Sequence, residues 1–190
     1  MINERGIWSL DEAKAIHHSF QSKKLADWLA NNLDKQRPVI DFGCGIGFYC
    51  KVLQDSGFNV FAYEGTPDIE KISVFHPITQ CDLSKPVTYP EGMITGNIVC
   101  LEVGEHVPAE YEAVVLDNIC NFAKTLVMSW ATPNQPGIGH VNGRTNDWVI
   151  EQMKQRGLSL DEKLTAELRA LDFDGLTYFK NTVFVFRRVN

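Results

Sequence analysis

Three glycines alternate at positions 43, 45 and 47 in the stretch VIDFGCGIGFYC, residues 39–50. They follow a short apolar run ending on Asp41 and precede Phe48, Tyr49, Val52 and Leu53, which recur at helical spacing. Glycine accepts positive φ angles and lets a ligand touch the main chain. The helix N-terminus beyond it offers N–H groups that suit a carboxylate or a phosphate. Two further acids close apolar segments: Glu64 ends FNVFAYE, 17 residues beyond Gly47, and Asp82 stands in QCDLSKP. An acid at the place of Glu64 suits a pair of sugar hydroxyls. Proton transfer near neutral pH falls to the five histidines, His17, His18, His76, His106 and His140. His140 lies in a loop rich in Pro, Gly and Asn, TPNQPGIGHVNGRTN, and His106 follows Glu102 by four residues.

These residues need a scaffold that brings strand ends together, and the pattern supplies one. SLDE at 9–12 is a capping box that starts a helix near Leu10. Phe20, Leu25, Trp28, Leu29 and Leu33 stripe a second helix. VIDF, FNVFAYE, PITQCDL, IVCLEV and TLVMSWA read as successive strands, the fourth of them a continuous apolar run suited to a buried parallel strand. Helical segments are expected around Pro67, after Pro108 and from about Asp147 to Arg156, and a later one carries Leu164, Leu168 and Leu171. TVFVFRR alternates as a final strand. Alternating strands and helices predict an α/β fold, a mostly parallel seven-stranded sheet flanked by helices, in a single domain over 1–190. Residues 1–36 are expected to form a helical N-terminal lid.

Composition excludes several classes. The 190 residues carry a formal net charge of −6 without a Lys/Arg cluster beyond short pairs, which speaks against nucleic acid as a partner. No apolar run approaches a membrane span, and the polar start MINERGIWSLDEAK is unlike a signal peptide. Five scattered cysteines, without a CxxC pair, read as reduced thiols in a cytoplasmic protein.

Two cofactor classes compete for the glycine loop. A dinucleotide site uses G-x-G-x-x-G, whereas Gly43-Cys44-Gly45-Ile46-Gly47 is G-x-G-x-G. The tighter form resembles the loop of class I S-adenosylmethionine-dependent methyltransferases, a Rossmann-like family. That resemblance implies that S-adenosylmethionine lies against Gly43, Cys44, Gly45 and Gly47, with Asp41 bordering its amino group and Glu64 on its ribose. It further implies that Asp82 holds the adenine amine and Leu83 offers its N–H, with Gly65 and Glu102 completing the cofactor set. For Asp82 the competing role is a turn cap after its strand.

The second half is similar to a small glycan-associated methyltransferase subgroup, through Leu101-Glu102-Val103-Gly104-Glu105-His106, Ser129-Trp130 and Gly139-His140-Val141-Asn142. Gly6-Ile7-Trp8 and His17-His18 fit the same picture. The resemblance implies a sugar or other small-molecule hydroxyl as acceptor. Asn97 stands where the superfamily often has Asp. No Asn/Asp-Pro-Pro-aromatic tetrapeptide follows the fourth strand, which favours oxygen over nitrogen as the methylated atom. His140 and His106 are the candidate bases; His18, Glu105, Trp130 and Asn142 are candidate acceptor contacts. Trp8 and His17 are candidates to close over the cofactor, whereas Trp148 and His76 read as structural. Convergence of Glu102, Glu105, Asn134 and Asn142 on a metal would need cooperating loops, and no metal is expected. A nicotinamide-dependent oxidoreductase and a non-catalytic binding subunit remain the rival readings; a Tyr-x-x-x-Lys pair, which one branch of such oxidoreductases uses, is absent.

Overall fold

The structure is a computed structural model that describes residues 2–89 and 95–189. Seven strands form one sheet: β1 (Val39–Phe42), β2 (Val60–Glu64), β3 (Ile78–Gln80), β4 (Gly96–Cys100), β5 (Ala123–Ser129), β6 (Leu158–Leu160) and β7 (Val183–Arg188), in the order β3-β2-β1-β4-β5-β7-β6. The first five pair in parallel, and β7 runs antiparallel between β5 and β6. Strand order reverses between β1 and β4, so the carboxyl ends of these two strands border the crevice where such sheets bind ligands.

Among the described residues seven helices accompany the sheet: α1 (Leu10–Ile16), α2 (Lys23–Asn32), α3 (Phe48–Asp55), α4 (Glu112–Asn121), α5 (Asn146–Gln155), α6 (Glu162–Arg169) and the single turn α7 (Phe179–Thr182). The period of two along each strand sorts the core into two layers. Val39, Val99, Val127 and Val185 face Leu25 and Leu29 of α2, Leu53 of α3 and Leu168 of α6. Ile40, Ile98, Leu126 and Phe186 face Val115 and Ile119 of α4 and Val149 and Met153 of α5. Among the described residues no helix is long and apolar enough to cross a membrane.

Several expectations shift. The Ser9 cap is present: its Oγ accepts the Glu12 N–H and donates to the Glu12 carboxylate. The second stripe does not extend to Phe20, which is 49% exposed, because Phe20 closes the 3₁₀ turn His17–Ser19 and lies ahead of Ser22, which caps α2. Since Leu25, Ala26 and Leu29 of α2 are fully buried against the sheet, α2 belongs to the covering layer, and only residues preceding it overlie the crevice. Around Pro67 only a 3₁₀ turn, Ile69–Lys71, forms. The apolar run after Gly96 outlasts β4 because Glu102 turns away at φ 54°. β6, unmarked in the sequence pattern, exists through its pairing with β7.

Candidate functional site

The glycine loop is shaped by the strand beside it. The N–H groups of Gly43 and Cys44 both donate to the Tyr63 carbonyl (2.8 and 3.2 Å), and the Gly45 N–H donates to Glu64 Oε2 (2.9 Å). Glu64 Oε1 in turn accepts the Thr66 N–H and hydroxyl. Gly43, Gly45 and Gly47 all have positive φ, a conformation that costs other residues roughly 1–2 kcal/mol each. Their bareness also admits the chain's own groups. A Cβ would lie 2.4 Å from Val103 Cγ2 at Gly43, 2.7 Å from His17 Nδ1 at Gly45 and 2.6 Å from Phe75 Cβ at Gly47.

Beside this loop opens a cleft of about 340 Å³, the size of a small-cofactor pocket. Asp41, Gly43, Cys44, Gly45, Glu64, Gly65, Leu83 and Glu102 of the expected cofactor set all line it. Gly47 caps α3 just behind. Asp82 stands at the rim with its oxygens taken: Oδ2 by Arg5 Nη1 (2.7 Å), Oδ1 by the N–H and hydroxyl of Ser84. The turn-cap role is therefore real, and Arg5 ties the N-terminal stretch to it. That stretch covers the cleft with Gly6, Ile7, Trp8 and His17. The His17 Nδ1 above Gly45 is buried with no hydrogen-bond partner, and burial holds the ring's pKa below the usual range against the pull of Glu64.

At the other end of the cleft Trp8 packs edge-on against both His17 and His106, and His106 packs edge-on against His140 at 5.1 Å. Backbone contacts bring the two histidines together. A 3₁₀ turn, Gly104–His106, follows β4, and the Glu105 carbonyl accepts the N–H groups of Val141 and Asn142 (2.9 and 3.0 Å), which docks the His140 loop on that turn. Nδ1 of His106 contacts the Gly139 carbonyl and Nδ1 of His140 the Gln135 carbonyl, at 3.3 and 3.2 Å. Burial pushes His106 down to about 4, so its ring is neutral at pH 7. Glu105 is wholly buried and its carboxyl faces that of Glu102, with no cation between them, while Glu102 Oε2 accepts from Gln135 Nε2. Burial raises both carboxyl pKa values, and their proximity adds to the rise at Glu105.

Other expected acceptor contacts sit elsewhere. Trp130 is 1% exposed; it packs on Trp148 and over Gly104, and its Nε1 donates to the Asn142 carbonyl at 2.7 Å. It therefore walls no pocket; it is a core residue that fixes the loop. Asn142 is buried with its side chain on Glu112, which Arg144 also binds. His18, in the 3₁₀ turn, does not line the cleft. Sequence reasoning missed Arg5, Gln135 and Tyr178 as cleft residues. The Gly-Ile-Trp stretch beside Arg5 was the one local signal. Trp130→Phe should lower stability by about 1–3 kcal/mol, the cost of an unpartnered buried carbonyl, and leave cofactor affinity unchanged, as read by urea denaturation and calorimetry.

Comparison with known proteins settles the class. A family model described as a methyltransferase domain matches residues 16–148, more than half of the chain. The chain belongs to that methyltransferase family. No curated protein matches its sequence. Solved structures share the fold at low identity. Magnesium protoporphyrin IX methyltransferase from Synechocystis, with S-adenosylhomocysteine bound, is 15% identical over 95% of this chain and 83% of its own, with a TM-score of 0.59. The 1,6-didemethyltoxoflavin N1-methyltransferase of Burkholderia thailandensis is 13% identical over 95% and 84%, TM-score 0.64. The CcbJ methyltransferase of Streptomyces caelestis is 13% identical over 87% and 88%, TM-score 0.63.

S-adenosylmethionine is thus the cofactor of this methyltransferase, which decides against a nicotinamide. The residues present fit it: a cleft of suitable volume, a bare glycine loop, and a buried carboxylate, Glu64, with accepting capacity left on Oε2. Asp41 supplies a test. Burial raises its pKa to about 7, opposed by the Cys50 thiol that donates to Oδ2 and reinforced by Glu64. The folded protein therefore holds a proton there that the unfolded chain releases, and a cation beside Asp41 must displace it. If the cofactor's amino group borders Asp41, S-adenosylhomocysteine affinity should weaken about tenfold per pH unit below 7 and level off above it. Calorimetry at pH 5.5–8.5 should show that slope in the wild type and not in Asp41→Asn. A slope shared by both would remove Asp41 from the cofactor site.

Proposed function

We propose that this methyltransferase transfers the methyl group of S-adenosylmethionine to a hydroxyl oxygen of a small-molecule or glycan acceptor. The observation that carries this reading is the meeting of His106 and His140 in the cleft, with Trp8 packed on His106, whose ring burial keeps neutral at pH 7. The bound cofactor supplies an already activated sulfonium methyl, so alignment is the main requirement. An aliphatic hydroxyl also needs a partner for its proton, and a neutral imidazole lone pair provides one. Each Nδ1 faces a carbonyl, which can only accept; Nδ1 therefore carries the proton, and Nε2 keeps the lone pair.

Gly43, Cys44, Gly45 and Gly47 would carry the amino-acid end of the cofactor, Asp41 its amino group and Glu64 its ribose. Asp82, Leu83 and Gly65 would border the adenine, with Arg5 holding Asp82 in place. Trp8 and His17 exclude water from above. Trp130, Asn142 and Glu112 act on the acceptor only by fixing the loop that bears His140. The absence of an amine-orienting tetrapeptide after β4 supports oxygen over nitrogen, and the net charge of −6 supports a non-nucleic-acid acceptor. Five free cysteines suit a reducing, cytoplasmic compartment.

Two variants separate the roles. Glu64→Ala strips partners from the N–H groups of Gly45 and Thr66 and should weaken S-adenosylmethionine binding at least tenfold. His140→Ala should leave that binding intact and lower turnover about 10²–10⁴-fold, measured as S-adenosylhomocysteine release over a panel of mono- and disaccharides. Undiminished turnover in His140→Ala would remove the histidine from the mechanism.

A further inference from the structure

We propose that Glu105, His106 and His140 form a binding site for a divalent metal cation at the acceptor end of the cleft. The inference deepens the reading of that end as the acceptor site, and rests on it for the cation's purpose but not for the cation's binding. One carboxylate oxygen and one nitrogen from each ring lie within 4.8 Å of one another. Donors around a single ion at about 2.0–2.2 Å stand roughly 3–4 Å apart, so small side-chain rotations close the set.

The second observation is independent of that spacing. The Glu105 carboxyl has no exposed surface, and it faces the Glu102 carboxyl three residues earlier and main-chain groups of Glu105 and Ala131, none of them a cation. Buried carboxylates are found paired, hydrogen-bonded or on a metal, and among the described residues Arg5, the cation that lines the cleft, is taken by Asp82. Arg144, the cation nearest in the loop, is spent on Glu112.

Ring orientation is a third. Imidazoles that hold metals donate their other N–H to a carbonyl or carboxylate, which fixes the tautomer and aims the lone pair. His106 does so with Gly139 and His140 with Gln135. The site is also built rather than draped: the Glu105 carbonyl accepts the N–H groups of Val141 and Asn142, the two residues directly after His140, and Trp130 Nε1 donates to the Asn142 carbonyl. The expectation of no metal looked for amides and acids to converge. The groups that do converge are two imidazoles and one acid.

Two imidazoles with one carboxylate suit first-row divalent cations, zinc above manganese in affinity, and leave coordination positions open. An acceptor hydroxyl in an open position would lose its proton more readily, and the methyl would then pass from sulfur to oxygen. The C–S bond would break with its electron pair left on sulfur and the C–O bond would form; with both imidazole lone pairs spent on the cation, the hydroxyl proton would go to solvent and not to a histidine, as it does when the metal is absent.

The test uses the untagged full chain, stripped with EDTA and dialysed, titrated calorimetrically with ZnCl₂ and with MnCl₂. One saturable site per chain is expected, tighter for zinc, and weakened at least tenfold in both His140→Ala and Glu105→Gln. Circular dichroism and S-adenosylhomocysteine affinity in the same variants report whether the fold and cofactor cleft survive; a variant that fails there is replaced by His106→Gln. No saturable binding at millimolar metal, or binding unchanged in folded variants, overturns the proposal and leaves Glu105 a neutral buried acid. A chain that binds the cofactor but neither metal refutes the metal site alone. A chain that binds metal through these residues but no cofactor refutes the cofactor reading alone.

Discussion

The hydrogen bond from the Gly45 N–H to Glu64 joins the first strand's loop to the second strand's end, and the cleft depends on it. Together with the Tyr63 carbonyl, which takes the N–H groups of Gly43 and Cys44, it consumes donors that would otherwise close the loop on itself. Three positive-φ glycines make the turn affordable, and α3 begins immediately beyond it. Parallel pairing of β1 with both β2 and β4 then leaves the crevice at the strand ends, with Asp41, Glu64 and Glu102 around it. Position of the acids follows from sheet topology; their availability follows from how the loop's own donors are satisfied.

The end of the cleft that holds His106 and His140 obeys a different rule. It is assembled from two loops that meet through main-chain hydrogen bonds, and its side chains are correspondingly fixed. Trp130 and Gly104 illustrate the economy of this arrangement: a Cβ on Gly104 would lie 2.4 Å from the indole, so the glycine exists to admit the ring that holds the loop. The N-terminal stretch completes the enclosure in a similar way. Gly6 lies so close to the His106 carbonyl that a Cβ there would approach within 2.2 Å, and Arg5 anchors the stretch to Asp82. The glycine loop and the paired histidines thus share one cover, running from His17 through Trp8 to His106.

What the sequence made legible was what is local. The Ser-x-x-Glu cap, the glycine loop and the strand-end acids are encoded within a few residues; the structure places the cap at the start of α1, and the loop with Asp41 and Glu64 at the cleft. The α/β alternation similarly determines the layers, because the period of two along β1 and β4 sorts Val39 and Val99 from Ile40 and Ile98. Long-range contacts were not legible. β6 is three residues that count as a strand only through β7; Phe20 mimics a helical stripe it does not join; Trp130 ends a strand at the functional edge yet is covered by a loop whose path no spacing reveals. The Arg5–Asp82 pair spans 77 residues of chain. Glu105 reads from the sequence as an acceptor contact, because nothing in Gly-Glu-His announces total burial.

The central claim is that this cleft is an S-adenosylmethionine site shaped by the loop and Glu64, and calorimetric titration of the purified chain with S-adenosylmethionine at pH 8 tests it most directly. The account predicts saturable binding with one cofactor per chain, and none for NADH under the same conditions. A folded chain that takes up NADH, or leaves S-adenosylmethionine unbound, would contradict it.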